Sequence, residues 1–293
     1  MNRCSKIEDK ETIYEVMKWG EAILENYKRP DAAIDAKLLM KHLLGFDETK
    51  LLLEREQKLA THLKESYTYV IAKRAQGIPL QYITKNQDFM GLTFYVDDRV
   101  LIPRQDTETL IELLIEKSKT EHFEKGVDIG AGSGCISISL ATYIEGLNMT
   151  AIDLSEGALD VTKKNVKEHG LEERIKFLQS DVLEAYNKEE KVDLVVSNPP
   201  YISEKDCREL MIEVIGHEPR MALTDEGDGL SFYKRITKDT KEILKPGGII
   251  AYEIGYNQAK AVTTMLEEAG YIEIETHQDL AGKDRVVIAR NPV

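Results

Sequence analysis

A chain of 293 residues with 42% hydrophobic and 31% charged side chains has the make-up of a soluble globular protein with room for two domains. Three scattered cysteines (Cys4, Cys135, Cys207) and six histidines without ligand spacing argue against a disulfide framework and a zinc site, so no metal is expected. The net charge of -13, the lack of an apolar run able to span a bilayer and the polar start Met1 to Lys6 disfavour bare nucleic acid, membrane and secretion.

A cytoplasmic monomer is the expected form. Residues 1–85 hold 15 Lys and Arg against 13 Asp and Glu, while the rest holds 24 against 39, so the acidity lies in the later part. That distribution suits a partner carrying basic residues, although acidity also serves solubility alone.

From Ile13 to about Tyr82 the apolar spacing is helical. Ile13, Val16, Met17, Ile23 and Leu24 form one stripe, and Pro30-Asp31 breaks it and starts a second helix through Ile34 and Leu38 to Gly45. Leu51 to Leu53, Leu59, Leu63, Tyr67, Val70 and Ile71 continue the helical pattern, with Trp19, the single tryptophan, expected as a core anchor. Residues 1–85 are thus expected to form a helical domain, serving either partner docking or stabilisation. Residues 86–103 alternate with period two, placing Leu92, Phe94 and Val96 on one face and a turn at Asp97-Asp98-Arg99, which predicts a linking β-hairpin. A helix with the apolar face Leu110, Ile111 and Leu114 then opens a third region, 104–293.

In that region strands and helices alternate, which predicts a parallel sheet with helices on both faces, an α/β fold. Val127-Asp128-Ile129 runs into the loop Gly130-Ala131-Gly132-Ser133-Gly134, followed by a helix from Ile136. Glycines there permit tight turning and close backbone approach to a ligand, and the helix start presents unpaired N–H groups. Met149 to Asp153 and Phe177 to Asp181 read as two further strands, each ending in an acid. A carboxylate at the first position can accept both hydroxyls of a ribose, and the second could reach an adenine amino group. Gly247 to Ile254 reads as a fifth strand, closed by an antiparallel pair at 271–274 and 285–289.

The fourth strand, Val192 to Ser197, ends at Asn198-Pro199-Pro200-Tyr201. Two prolines cannot continue a central strand, having no N–H for the ladder and a fixed φ. They make a stiff lip at the carboxyl end, where open parallel sheets bind ligands. The Asn198 side-chain oxygen and the Pro199 main-chain oxygen offer fixed acceptors for the two N–H bonds of a planar amino group, next to the aromatic face of Tyr201. A plain turn after a strand is the bland alternative.

Together the glycine loop, Asp153, Asp181 and Asn-Pro-Pro-Tyr resemble the class I S-adenosylmethionine-dependent methyltransferases of the amino-methylating branch. Phe89-Met90-Gly91-Leu92, Leu101-Ile102-Pro103-Arg104, Asp106-Thr107-Glu108, His217-Glu218-Pro219-Arg220 and Asp228-Gly229-Leu230 narrow the resemblance to the PrmC/HemK family, the protein-glutamine methyltransferases of peptide chain release factors. That resemblance implies a Rossmann-like sheet with a small helical N-terminal domain, S-adenosylmethionine as cofactor, and class 1 release factors as protein substrate. It assigns the cofactor to Gly130, Ala131, Gly132, Ser133 and Gly134, to Asp153 and Leu154, to Asp181 and Val182, and to Asn198. It assigns the acceptor glutamine to Asn198, Pro199, Pro200 and Tyr201, with Pro103 and Arg104 beside them; Asn198, Pro199 and Tyr201 are the expected catalytic residues. Gln105, Ala131 and Val182 depart from the family pattern. A glutamine methyltransferase of a ribosomal protein and an adenine amino-methyltransferase are the alternatives. Glu218 and His217 qualify as bases by residue type alone, and a structural role suits them better.

Overall fold

The computed structural model describes residues 7–293; Cys4 and the polar stretch Met1 to Lys6 lie outside the described residues. The chain divides into two compact units, one made of residues 1–85 with Met211–His217, the other of Asn86–Leu210 with Glu218–Val293.

In the first unit, helix Ile13–Asn26 starts in a reciprocal cap: the Glu15 N–H donates to the Thr12 hydroxyl at 3.2 Å and the Thr12 N–H donates back to the Glu15 carboxylate at 3.2 Å. Helices Ala32–Leu44, Glu48–Leu53, Thr61–Ala75 and Leu80–Thr84 follow. The second helix buries Ala32, Ala36, Leu39 and Met40 and leaves Ile34 half exposed, so the expected Ile34–Leu38 stripe is offset from the buried face. Alanines let the helices approach closely, which is why small residues rather than Ile34 face the core. Trp19 is only partly buried at the core margin; the fully buried aromatic anchor is Tyr67, whose hydroxyl donates to the Ala36 carbonyl at 2.9 Å. Arg74, buried, holds Asp35 at 2.6 Å and Glu213 at 2.8 Å, so residues 211–217 are tied to these helices by charge.

The second unit opens with strands β1 (Asn86–Phe89) and β2 (Leu92–Tyr95), an antiparallel hairpin. Its turn is Met90-Gly91, both left-handed at φ 51° and 72°, and not Asp97-Asp98-Arg99 as expected. Two consecutive left-handed residues match the twist of a two-residue hairpin, and the Met90 N–H is further held by Glu108 at 2.7 Å. Asp97 instead grips Arg99 through both carboxylate oxygens at 2.9 and 2.8 Å, and that pairing draws its pKa down to about 2.

The remaining strands are β3 (Lys125–Ile129), β4 (Asn148–Asp153), β5 (Ile175–Gln179), β6 (Val192–Ser197), β7 (Leu244–Glu253), β8 (Ile272–Gln278) and β9 (Asp284–Arg290). They form one sheet in the order β5-β4-β3-β6-β7-β9-β8. β3 to β7 run parallel, and β9 enters antiparallel between β7 and β8. Alternation along β7 sends Ile249 and Ala251 to one core and Ile250 and Tyr252 to the other. Helices Asp106–Lys117 and Cys135–Tyr143 cover the first core, and Ser231–Thr240 and Ala259–Glu268 the second. The expected Rossmann-like α/β architecture is therefore present. Ile129 pairs with Ile152 on one side and Ser197 on the other, so β3, β4 and β6 end flush. The chain order reverses about β3, where a crevice opens at the carboxyl ends.

Candidate active site

That crevice holds a cavity of about 500 Å³ built wholly from the second unit. Gly130 and Gly132 lie on its floor, Asp153 and Leu154 at the end of β4, Asp181 and Val182 after β5, and Asn198, Pro199 and Pro200 after β6. The facing wall is Arg99 to Leu101, Pro219 to Ala222 and Thr224 to Glu226, with Phe232 and Ile236 from helix Ser231–Thr240.

The glycine loop is held by its neighbours. The N–H groups of Gly130 and Ala131 donate to the Ile152 carbonyl at 2.8 and 2.9 Å, and Thr162 and Asn165 donate to the carbonyls of Gly132 and Ser133 at 2.8 Å each. Gly134, at φ 81°, caps helix Cys135–Tyr143 with its back to Thr162, where a Cβ would sit 2.7 Å from Thr162 Cγ2. Ala131, Ser133 and Gly134 thus shape the loop from behind and do not line the cavity.

Asp153 is oriented before any ligand arrives: the Gly132 and Ser155 N–H groups each donate to one of its carboxylate oxygens at 2.9 Å. Burial still raises its pKa above the usual aspartate value. Asp128, fully buried just before the loop, accepts from Ser137 N–H and Oγ at 3.2 and 2.7 Å through one oxygen, while its Oδ1 has no partner among the described residues. Burial pushes this carboxyl up to about 7. β5 ends two residues short of Asp181, whose carboxylate is paired with Arg235 at 2.9 Å. Val182, buried and left-handed at φ 53°, carries backbone strain rare for a β-branched residue.

At the lip, Ser197 Oγ donates to the Ile129 carbonyl at 2.7 Å and fixes where β6 ends. Asn198 donates from Nδ2 to Thr107 Oγ1 at 3.3 Å, and its Oδ1 makes no hydrogen bond among the described residues. Thr107 is buried in the first turn of helix Asp106–Lys117, and burial pushes the carboxyl of Glu253, at the end of β7, up to about 7. Tyr201 turns away from the cavity: its hydroxyl donates to Glu253 Oε1 at 3.2 Å and its ring packs on the second core. Tyr201, an expected catalytic residue, thus stands behind the lip and is not among the residues lining the cavity. Its carbonyl takes Gln258 Nε2 at 2.9 Å.

Pro103 is buried, and neither it nor Arg104 lines the cavity. Arg104 is engaged with Glu218, whose carboxylate also takes the Ile102 N–H at 3.4 Å, so Glu218 is a buried strut. His217 belongs to the first unit. Thr107, Glu253, Gln258 and the Arg99 to Leu101 wall were not read from sequence. Glu253 ends β7 as Asp153 ends β4, so the same strand-end rule would have found it; Thr107 stood in a family-like block without a role, and nothing marked Gln258.

These features define a class I methyltransferase. The Methyltransferase small domain family matches residues 104–245 and the PrmC N-terminal domain family residues 15–84. The chain belongs to the release factor glutamine methyltransferase family: it is 42% identical to the member from Clostridium acetobutylicum over 87% of this chain and 90% of that protein, and 38% identical to the one from Clostridium botulinum over 92% and 96%. A solved T. thermophilus 16S rRNA N2 G1207 methyltransferase in complex with AdoMet and guanosine shares the fold, with a TM-score of 0.51 at 19% identity over 70% of this chain and 49% of that one.

The residues present fit S-adenosylmethionine. Gly130 opens on the cavity with nothing within 4 Å of where a Cβ would stand, and the orphaned Asp128 Oδ1 lies two residues before it. Asp153→Ala is expected to weaken binding of the cofactor by about 1–3 kcal/mol, the cost of leaving ribose hydroxyls unpaired. Titration calorimetry checks this; unchanged affinity would remove Asp153 from the ribose contact.

Proposed function

We propose that this chain transfers a methyl group from S-adenosylmethionine to the side-chain amide nitrogen of the glutamine in the Gly-Gly-Gln loop of class 1 peptide chain release factors. The observation that carries the reading is the fixed Asn198 amide: with Nδ2 committed to Thr107, Oδ1 is left as an acceptor at the cavity rim. Beside it the Pro199 carbonyl makes no hydrogen bond within the chain among the described residues. Family membership supplies the substrate class, because the related proteins are named release factor glutamine methyltransferases.

A glutamine nitrogen is a poor nucleophile, its lone pair being delocalised into the carbonyl. Asn198 Oδ1 and the Pro199 carbonyl accept its two N–H bonds, raise electron density on nitrogen and aim it into the cavity. Gly130, Gly132, Asp153 and Asp181 hold the cofactor, and Val182 and Leu154 bound its adenine end. Bound S-adenosylmethionine supplies an electrophilic methyl group on a sulfonium. Holding nucleophile and electrophile at attack distance contributes roughly 7–11 kcal/mol, so little else is required of the site. The amide proton leaves after transfer, when the nitrogen is cationic and acidic, and passes to solvent from the lip. Two glycines ahead of the target let the loop reach a stiff rim without side-chain clashes. A single chain carries every residue named, so a monomer suffices, acting in the cytoplasm on a protein and not on nucleic acid.

The test is transfer of labelled methyl to purified release factor, with a ribosomal protein and nucleic acid as parallel acceptors. The release factor should be labelled, less efficiently as salt rises, because the acidic chain draws in a basic loop surface. Label confined to either other acceptor would contradict the assignment.

A further inference from the structure

Helix Ser231–Thr240 brings more to the cavity than the side chains of Phe232 and Ile236. Tyr233, Ile236, Thr237 and Thr240 form its buried face. The Tyr233 hydroxyl donates to the Glu253 main-chain carbonyl at 2.9 Å, and Thr237 and Thr240 meet the hydroxyls of Tyr252 and Tyr271 at 2.9 and 2.8 Å. The helix is therefore a rigid mount, and the half-buried Arg235 projects from it. Arg235 does not line the cavity but stands behind two residues that do. Its guanidinium pairs with the Asp181 carboxylate at 2.9 Å and lies 5.9 Å from the centre of the Phe232 ring. Glu184, 3.7 Å away, is a looser second partner. An ion pair this exposed adds little to stability, so its consequence lies in what it does to a cavity residue.

Asp181 sits on a fixed stretch of chain. The Ser180 N–H donates to the Asp153 carbonyl at 3.1 Å, the Ala185 N–H to Ser180 Oγ at 3.0 Å, and the Glu184 N–H to the Asp181 carbonyl at 3.2 Å. With the backbone set, the side-chain torsions of Asp181 are the freedom left. Arg235 takes up Oδ1, while Oδ2 makes no hydrogen bond among the described residues.

We infer that Arg235 is a positioning residue that sets cofactor specificity, fixing Asp181 so that Oδ2 accepts the exocyclic amino group of adenine. The inference rests on the cofactor assignment above and not on the identity of the methyl acceptor. A carboxylate has no hydrogen to give, so it selects a ring that offers an N–H at that edge. A free aspartate would meet such a donor from several rotamers, and ordering it on binding would cost affinity. The guanidinium is a planar fork of fixed donors, and the Phe232 ring beside it limits where that plane can lie. Arg235 thus orders Asp181 before a ligand arrives, as the Gly132 and Ser155 N–H groups order Asp153. It acts through the aspartate alone.

The experiment is calorimetric and uses the whole chain, with no acceptor and no turnover. The probes are S-adenosylhomocysteine and the same molecule with unsubstituted purine in place of adenine, which lacks only the exocyclic amino group. Wild type, Arg235→Ala, Asp181→Ala, the double variant and Glu184→Gln are compared. The quantity read is the ratio of the two affinities, because a partial loss of fold lowers both alike. Wild type should prefer the adenine compound by about tenfold or more, as expected of one hydrogen bond to a charged group. Arg235→Ala should reduce that preference to about threefold or less, and Asp181→Ala should abolish it. The double variant should match Asp181→Ala, since both changes act on one contact. Glu184→Gln, which removes the second acid at the guanidinium, should keep the wild-type ratio. A wild-type ratio in Arg235→Ala, a further fall when Arg235→Ala is added to Asp181→Ala, or an equal fall in Glu184→Gln would each overturn the inference. A wild type that binds neither compound would overturn the cofactor assignment itself, whereas one that binds both equally would overturn only the role given to Asp181 and Arg235.

Discussion

Asn198→Ala is expected to reduce kcat to a small residue of the wild-type value while cofactor affinity stays close to wild type. The side chain has two separable duties. Its Nδ2 anchors the lip to Thr107 at 3.3 Å, and its Oδ1 is the acceptor that polarises and aims the substrate nitrogen. The cofactor side of the cavity is built by other elements, the glycine loop and the ends of β4 and β5, each held by its own backbone hydrogen bonds. Removing Asn198 therefore takes away an interaction made with the reacting nitrogen, which lowers kcat and kcat/KM together. Asn198→Asp is the informative companion, because it keeps an acceptor and loses the donor to Thr107. Initial rates at saturating release factor, with calorimetric titration of S-adenosylmethionine alongside, separate the two duties; an Ala variant that keeps most of its kcat would place nitrogen activation elsewhere.

Gly229→Ala should damage the same lip from behind, without touching a single cavity residue. At φ 77° a side chain is strained there whatever the space, and a Cβ would stand 2.2 Å from the Tyr201 carbonyl oxygen and 2.9 Å from Gln258 Nε2. Gln258 is the clamp of this region, donating to the carbonyls of Tyr201 and Gly229 at 2.9 and 3.2 Å and accepting the Gly255 N–H at 2.9 Å. Neither contact can yield cheaply, since one is main chain and the other is a side chain with every atom engaged. Left-handed strain and overpacking together should cost about 2–5 kcal/mol, and whatever fold remains should turn over slowly because Tyr201 has moved. Urea denaturation with a parallel activity assay measures both, and wild-type stability would show that the loop simply shifts aside.

Much of the catalytic frame was legible because parallel strands announce themselves by apolar runs and end in polar residues. β3, β4 and β6 are such runs, and their flush register places the glycine loop, Asp153 and Asn198 around one crevice. The stiffness of Asn198-Pro199-Pro200 was legible too, since proline fixes φ wherever it stands. What failed depended on distance contacts. Thr107 reads as a helix-start residue; that its hydroxyl meets Asn198 follows only from the packing of helix Asp106–Lys117 against the sheet end. Nor does the sequence show that Tyr201, next to the lip, hydrogen-bonds the buried Glu253 carboxylate and packs on the second core. In the helical unit the buried stripe of Ala32–Leu44 is set by alanines that periodicity counts weakly, so Ile34 was given a core role it does not have. The hairpin turn was misplaced because Met90, not a glycine or asparagine, takes the first left-handed position.

The most direct measurement is tandem mass spectrometry of an intact class 1 release factor after incubation with the enzyme and S-adenosylmethionine. The expected product carries one added methyl, fragmenting to the side-chain nitrogen of the glutamine in the Gly-Gly-Gln loop, and is absent with Asn198→Ala. A methyl on any other residue, or an unmodified factor beside a methylated ribosomal protein or adenine, would contradict it.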